Sequence, residues 1–248
     1  RLPACLCLNS RTALPARPSQ VTATSARVPE TAIDRRPWMK GAQGKKMLKV
    51  YHAQNTRSVR IVWLCEELGI PYDLKTMKFA PEDLQSEAYL AIHPLGKVPS
   101  IDDDGLILNE SGAIAQYLLA KHGKGQLEPK AGTPEHGKYL HWFHFAEATF
   151  MVPLGNIAQH SFIRPEDQRI PQVAAEAVES AKKMLAILDR ELADKDYICG
   201  EAFTAADVML GYDLLLCKLF GLLTEDYPNV NAYFALLGER PAFQKATA

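Results

Sequence analysis

The hydrophobic positions change period along this chain, and the changes divide it. Residues 1–46 show neither a helix nor a strand period. From Leu48 the pattern becomes orderly. Leu48-Lys49-Val50-Tyr51 alternates as a half-buried strand does. Ile61, Leu64, Cys65 and Leu68 then follow the spacing of one helix face, with Glu66 and Glu67 on the wet side. Gly69 suits the left-handed residue that ends a helix, and Pro71 stops its continuation. Tyr72-Asp73-Leu74 reads as a second strand, so strand, helix and strand make a parallel βαβ unit. A short helix is expected around residues 83–91. Val98-Pro99-Ser100-Ile101 and Leu106-Ile107-Leu108 flank Asp102-Asp103-Asp104-Gly105 as a hairpin. Ile114, Tyr117 and Leu118 mark a helix over residues 111–121.

Beyond a polar Pro/Gly stretch at residues 127–132 the period is helical throughout. Helices are predicted over residues 135–154 and 173–193, from Thr204 onward, and over 230–237. Phe203, Thr204, Asp207 and Val208 supply the N′, N-cap, N3 and N4 residues of a capping box with a hydrophobic staple. The expected organisation is an α/β domain of order β-α-β-α-β-β-α at residues 47–123, a linker at 124–133 and an all-α helical bundle at 134–248.

Charge changes the picture at the N-terminus. Residues 1–46 hold nine Lys/Arg and two Asp/Glu, while the other 202 residues hold 19 and 27. A mildly acidic body argues against nucleic acid as the main partner, because phosphate binding needs clustered basic charge. The basic, Pro- and Ser-rich leader reads either as an organelle transit peptide or as an extension outside the working fold. The second is preferred, since Met47 immediately precedes the first strand pattern. Apolar runs stay far short of the ~18 residues of a membrane span. The body cysteines, Cys65, Cys199 and Cys217, show no CxxC spacing, which points to a reducing compartment and no disulfide framework or zinc site. His141 and His144 are not at metal spacing with carboxylate partners, so no metal is expected.

Four segments carry chemistry. They are the run from Asn55-Thr56-Arg57-Ser58 to Gly69-Ile70-Pro71-Tyr72, His93-Pro94-Leu95-Gly96-Lys97-Val98-Pro99, Asn109-Glu110-Ser111-Gly112-Ala113-Ile114, and Gly200-Glu201-Ala202-Phe203-Thr204-Ala205-Ala206-Asp207. In this order and spacing they resemble the cytosolic glutathione transferases over residues 47–248, most nearly bacterial and fungal members with the pattern N-S-R-S-x-R-x-x-W-L-L-E-E-L-G. Thr56 stands where those have Ser, and Cys65 where they have the second Leu. The resemblance implies a thioredoxin-like N-terminal domain that holds glutathione, a helical domain that holds a hydrophobic electrophile, a homodimer and a cytoplasmic location. It implies a transferase of detoxification, which adds the glutathione thiolate to small electrophiles or uses it to reduce organic peroxides. The alternative is a non-catalytic binding or interaction domain on the same fold.

Glu110 and Ser111 stand at a predicted helix start, where free N–H groups and a positive partial charge suit a carboxylate. Ser111 serves there as ligand anchor or simply as N-cap. The resemblance puts a cis peptide at Val98-Pro99, with Val98 pairing the cysteinyl backbone and Lys97 near the glycyl carboxylate. A thiol of pKa ~8.5 lowered by about two units needs roughly 2.7 kcal/mol. A helix dipole supplies about 0.3–1 kcal/mol, up to ~2 when partly buried, so a donor to sulfur is expected as well. The candidates are Asn55, Thr56 and Ser58. Asn55 occupies the usual position of the catalytic Ser in Ser-type classes; it can donate an N–H but cannot lose a proton. Tyr51 is read as a strand residue, Arg60 as a structural ion-pair partner and Cys65 as core. The absence of Cys between Tyr51 and Ser58 argues against the cysteine-type relatives. For the electrophile pocket the long helix offers Tyr139, Trp142, Phe143, Phe150 and Met151, each of which also suits core or dimer packing.

Overall fold

The structure is a computed structural model that describes residues 47–248. The leader expected at residues 1–46 lies outside the described residues. Strand β1 (Leu48–His52) turns Leu48, Val50 and His52 to its covered face, as the alternation requires. It pairs in parallel with β2 (Tyr72–Thr76) and antiparallel with β3 (Ser100–Asp103), which pairs antiparallel with β4 (Leu106–Asn109). The sheet order is β2-β1-β3-β4. Helix α1 (Ser58–Leu68) makes the crossover and ends at Gly69, whose φ of 62° is the left-handed conformation that the pattern predicts.

Two local expectations are refined. The single short helix around residues 83–91 is split into α2 (Pro81–Leu84) and α3 (Glu87–Leu90). Ser86 accepts from the Tyr89 N–H at 3.3 Å, which caps a new helix rather than continuing the old one. Strand β3 starts at Ser100, not at Val98, because Pro99 has no N–H for the ladder.

Helix α4 (Ser111–Leu118) runs on into a π-wound turn at Leu119–Gly123. After the linker come α5 (Pro134–His144) and α6 (Met151–Ala158), joined by a π-wound stretch at Phe145–Phe150 and extended by another at Gln159–Ile163. The helical run therefore passes the predicted end at residue 154. Pro153 cannot donate to the preceding turn, and the wider winding precedes it directly. Helices α7 (Pro171–Glu191), α8 (Ala205–Leu219) and α9 (Pro228–Gly238) follow the expected pattern. The Asp207 carboxylate accepts from the Thr204 N–H at 2.7 Å, as the capping box requires. Helix α10 (Pro241–Thr247) is too short for its period to register in the sequence; it buries Phe243 and Ala246.

One core joins the α/β lobe to the helical lobe. Every residue of α1 from Ser58 to Cys65 is buried, because the helix is covered by β1, α4, α8 and α10. Trp63 is fully buried, with its ring 4.6 Å from that of Phe243. The approach of α8 to Trp63 needs a residue without a side chain. A Cβ at Gly211 would stand 2.6 Å from the Trp63 ring. Arg240 closes the far end with two hydrogen bonds to Glu67, at 2.7 and 2.6 Å. Gly211→Ala is therefore expected to lower stability by about 1–3 kcal/mol through overpacking, read as a fall in the thermal midpoint. An unchanged midpoint would show that α1 and α8 are less tightly opposed than described.

Candidate functional site

The register sets the stage. Tyr51, Ser100 and Asn109 form one row across β1, β3 and β4. The turn after β1, the Val98-Pro99 peptide before β3 and the start of α4 after β4 therefore all emerge at the same end of the sheet.

The first of these is a tight turn. Asn55 adopts φ 58°, a left-handed conformation that Asn tolerates better than most residues. Its side chain is exposed and makes no hydrogen bond among the described residues. Thr56 is half-buried and donates to the Ala53 C=O at 2.7 Å. Ser58 is fully buried at the first position of α1. Its Oγ lies 2.7 Å from Thr56 Oγ1 and 2.8 Å from His52 Nδ1, and accepts from the Ala53 N–H at 3.1 Å. Burial holds His52 below the ordinary imidazole range. The first turn of α1 contains no acidic residue of its own. Tyr51 packs its ring on Tyr89, 5.6 Å away, as a strand residue beside a helix.

The second element is the loop before β3. The Val98–Pro99 peptide is cis. Val98 is buried with Ala53, Leu84 and Tyr89, and its backbone lies outside the β1–β3 ladder. Gly96 explains the spacing of this segment. It has φ 57°, and a Cβ there would meet the Leu84 carbonyl oxygen at 2.3 Å. His93 fastens the same loop, its Nδ1 accepting from the Leu95 N–H at 3.2 Å. Lys97 is exposed, and its C=O accepts from the Tyr89 hydroxyl at 2.6 Å.

The third element is the start of α4. Glu110 is exposed and held at φ 70°, ψ 110°, a conformation unusual for a residue with a side chain. Ser111 is buried at 2% exposure. It accepts from Arg60 Nη1 at 3.2 Å and lies 3.2 Å from the Glu147 carboxylate, to which it donates. Arg60 is fully buried. It also donates to Asp213 at 2.6 Å, to the Met209 C=O at 3.2 Å and to Glu147. The ion pair expected of Arg60 is thus a cluster that reaches into both lobes. Burial pushes the Asp213 carboxyl up to about 8 against the pull of Arg60, and its second oxygen has no hydrogen-bond partner. Glu147 is held below the usual carboxylate range: burial opposes this, but Arg60 and Arg57 outweigh it. Tyr212, stacked 5.0 Å from the Arg60 guanidinium, donates to the Asn55 C=O at 3.3 Å. The helical lobe therefore braces the turn after β1 and the start of α4 together.

Sequence reasoning missed Glu147, Tyr212, Asp213 and His52. Asp213 had a signal, a lone acid in the apolar run Leu210–Leu216, and His52 had another, an imidazole on the covered face of β1. The five residues assigned to an electrophile pocket, Tyr139, Trp142, Phe143, Phe150 and Met151, are packed into the core at 7% exposure or less. They form the stripe that the helical run turns inward, and α5 packs on α8. On the open side the run presents His141, His144, Val152 and Asn156. Cys65 is core as expected, and burial pushes its thiol up to about 12. A separate open cleft beside α9 and α10 is lined by Glu66, Glu67, Arg240 and Lys245, which pair with one another.

The comparisons agree with this architecture. The family profile described as the glutathione S-transferase N-terminal domain matches residues 46–120, and that of the C-terminal domain matches residues 171–236. Glutathione S-transferase 3 of Schizosaccharomyces pombe is 31% identical over 206 residues, covering 79% of this chain and 85% of the relative. Glutathione S-transferase hmp2 of Hypomyces subiculosus is 32% identical, covering 82% and 98%. A solved family member from Pseudomonas fluorescens, with two glutathione bound, superposes with a TM-score of 0.72 at 26% identity, covering 83% of this chain and 94% of its own. With both domain profiles in order on a thioredoxin-like sheet and a helical lobe, this chain belongs to the glutathione S-transferase family.

Proposed function

We propose that this protein binds glutathione at the shared end of β1, β3 and β4 and transfers it, as the thiolate, to small hydrophobic electrophiles. The carrying observation is the register row Tyr51–Ser100–Asn109, which brings a helix N-terminus, a free backbone edge and a second helix N-terminus to one place. The γ-glutamyl carboxylate sits at the start of α4, over Ser111 and above the buried Arg60 charge. The α-ammonium faces Glu110 and Glu147. Val98 pairs with the cysteinyl backbone, and Lys97 stands toward the glycyl end. The sulfur then lies at the turn of Asn55, Thr56 and Ser58. There the positive end of α1 and the unengaged Asn55 amide favour the charged form. A donor aimed at a charged partner contributes about 1.5–3 kcal/mol, which with the dipole accounts for a two-unit fall in thiol pKa. The electrophile approaches from the helical lobe, past Arg57 and Tyr212. The same thiolate reduces organic peroxides.

A non-catalytic glutathione-binding domain is the competing reading. Asn55 favours it, because an amide has no proton to lose. Retention on glutathione resin followed by a conjugation assay with a chloro-dinitrobenzene separates the two: turnover supports the transferase, and retention without turnover supports the binding domain. For the ligand's placement, Ser111→Ala and Glu147→Gln should each weaken glutathione binding about tenfold by calorimetry. Unchanged affinity in both variants would refute it.

The protein is also proposed to act as a homodimer, in line with the resemblance. Leu106 and Ile107 on the edge strand β4 remain exposed, which supports a covered face in the assembly. Sedimentation velocity at micromolar concentration should show a species of twice the chain mass; a monomer alone would contradict the dimer.

A further inference from the structure

The buried imidazole of His52 has no part in the site so far, and its position needs a reason. Strand parity puts residue 52 on the covered face, where Leu48 and Val50 are apolar. His52 is 7% exposed there, and its Nδ1 is 2.8 Å from Ser58 Oγ. Ser58 Oγ is in turn 2.7 Å from Thr56 Oγ1, which is half-buried in the turn. Three exchangeable groups thus stand in a row from the turn to the core, each within hydrogen-bond distance of the next.

We propose that Thr56, Ser58 and His52 form a proton wire that carries the thiol proton away from bound glutathione, with His52 as the terminal acceptor. The inference rests on the placement of the sulfur at this turn. The sulfur gives its proton to Thr56 Oγ1, the Thr56 proton moves to Ser58 Oγ, and the Ser58 proton moves to His52 Nδ1. One S–H bond and two O–H bonds break; two O–H bonds and one N–H bond form. A thiol and an imidazole become a thiolate and an imidazolium, with no change in net charge. The transfer leaves the new Thr56 proton on the side of the sulfur, where it hydrogen-bonds the thiolate.

The remaining contacts fit this role. The Ala53 C=O competes for both hydroxyl protons, at 2.7 Å from Thr56 and 3.1 Å from Ser58, so each hydroxyl rotates onto the wire before it conducts. The Ala53 N–H fills one acceptor position of Ser58, and the Ser58 N–H approaches Thr56 Oγ1 at 3.3 Å. Burial lowers the affinity of His52 for a proton, while the Ser58 contact raises it. An imidazole neutral at pH 7 starts as an acceptor.

The test is stopped-flow mixing of the intact protein with glutathione, following thiolate absorbance together with proton release to an indicator. His52→Asn decides the matter, because Asn can accept the Ser58 hydrogen bond but cannot take a proton. His52→Asn and Ser58→Ala should each form the thiolate roughly a hundredfold more slowly. The double variant should be no slower than either single one, since a wire cut twice conducts no worse than a wire cut once. Thiolate formation at the wild-type rate in both His52→Asn and Ser58→Ala overturns the wire alone, as does slowing that adds in the double variant. A wild-type protein that binds glutathione without thiolate absorbance overturns the transferase reading, and the wire with it.

Discussion

Arg60 carries its charge into the core, and both lobes are organised around neutralising it. No side-chain atom of it is exposed. Glu147 of the helical lobe supplies the countercharge, and Asp213, Ser111 and the Met209 carbonyl take its remaining hydrogen bonds. Loss of one partner from such a buried cluster leaves a charge uncompensated, a cost of about 3–5 kcal/mol. The same side chain underlies the start of α4, where its Nη1 donates to Ser111 at 3.2 Å. Tyr212 lies against the guanidinium and holds the Asn55 carbonyl. The distance between thiol turn and anchor is therefore fixed by one buried cation rather than by loops.

This arrangement makes the two lobes mutually dependent. The turn after β1 is held from below by Ser58 and His52 and from the side by Tyr212. The anchor is held by Arg60 and Glu147. The third element, Val98, is fixed by the packing of Gly96 on Leu84 and by the small cluster around Tyr89. Each grip comes from a side chain whose hydrogen bonds or van der Waals contacts are already made, so the surface at this end of the sheet is preorganised.

Much of this was legible in the sequence where the signal is local. The alternation in β1, the stripe and glycine stop of α1, the hairpin and the capping box at Thr204 are short-range patterns, and they appear where expected. The partners of Arg60 were not legible. Glu147 and Asp213 lie 87 and 153 positions away, and no periodicity connects such residues. The aromatic residues from Tyr139 to Met151 illustrate a different limit. The pattern identified a stripe but not what covers it, and the π-wound stretch at Phe145–Phe150 shifts the face that later residues present. A hydroxyl at a helix start looks alike in sequence whether it caps, catalyses or is sealed beneath the turn, as Ser58 is.

The most direct measurement is a crystal structure of the protein with glutathione bound. The account predicts sulfur within hydrogen-bond distance of Asn55 Nδ2 or Thr56 Oγ1, the Val98 backbone paired with the cysteinyl unit, and the γ-glutamyl carboxylate at the N-terminus of α4 beside Ser111. Glutathione bound elsewhere, or in this groove with its sulfur turned away from the turn after β1, would contradict it.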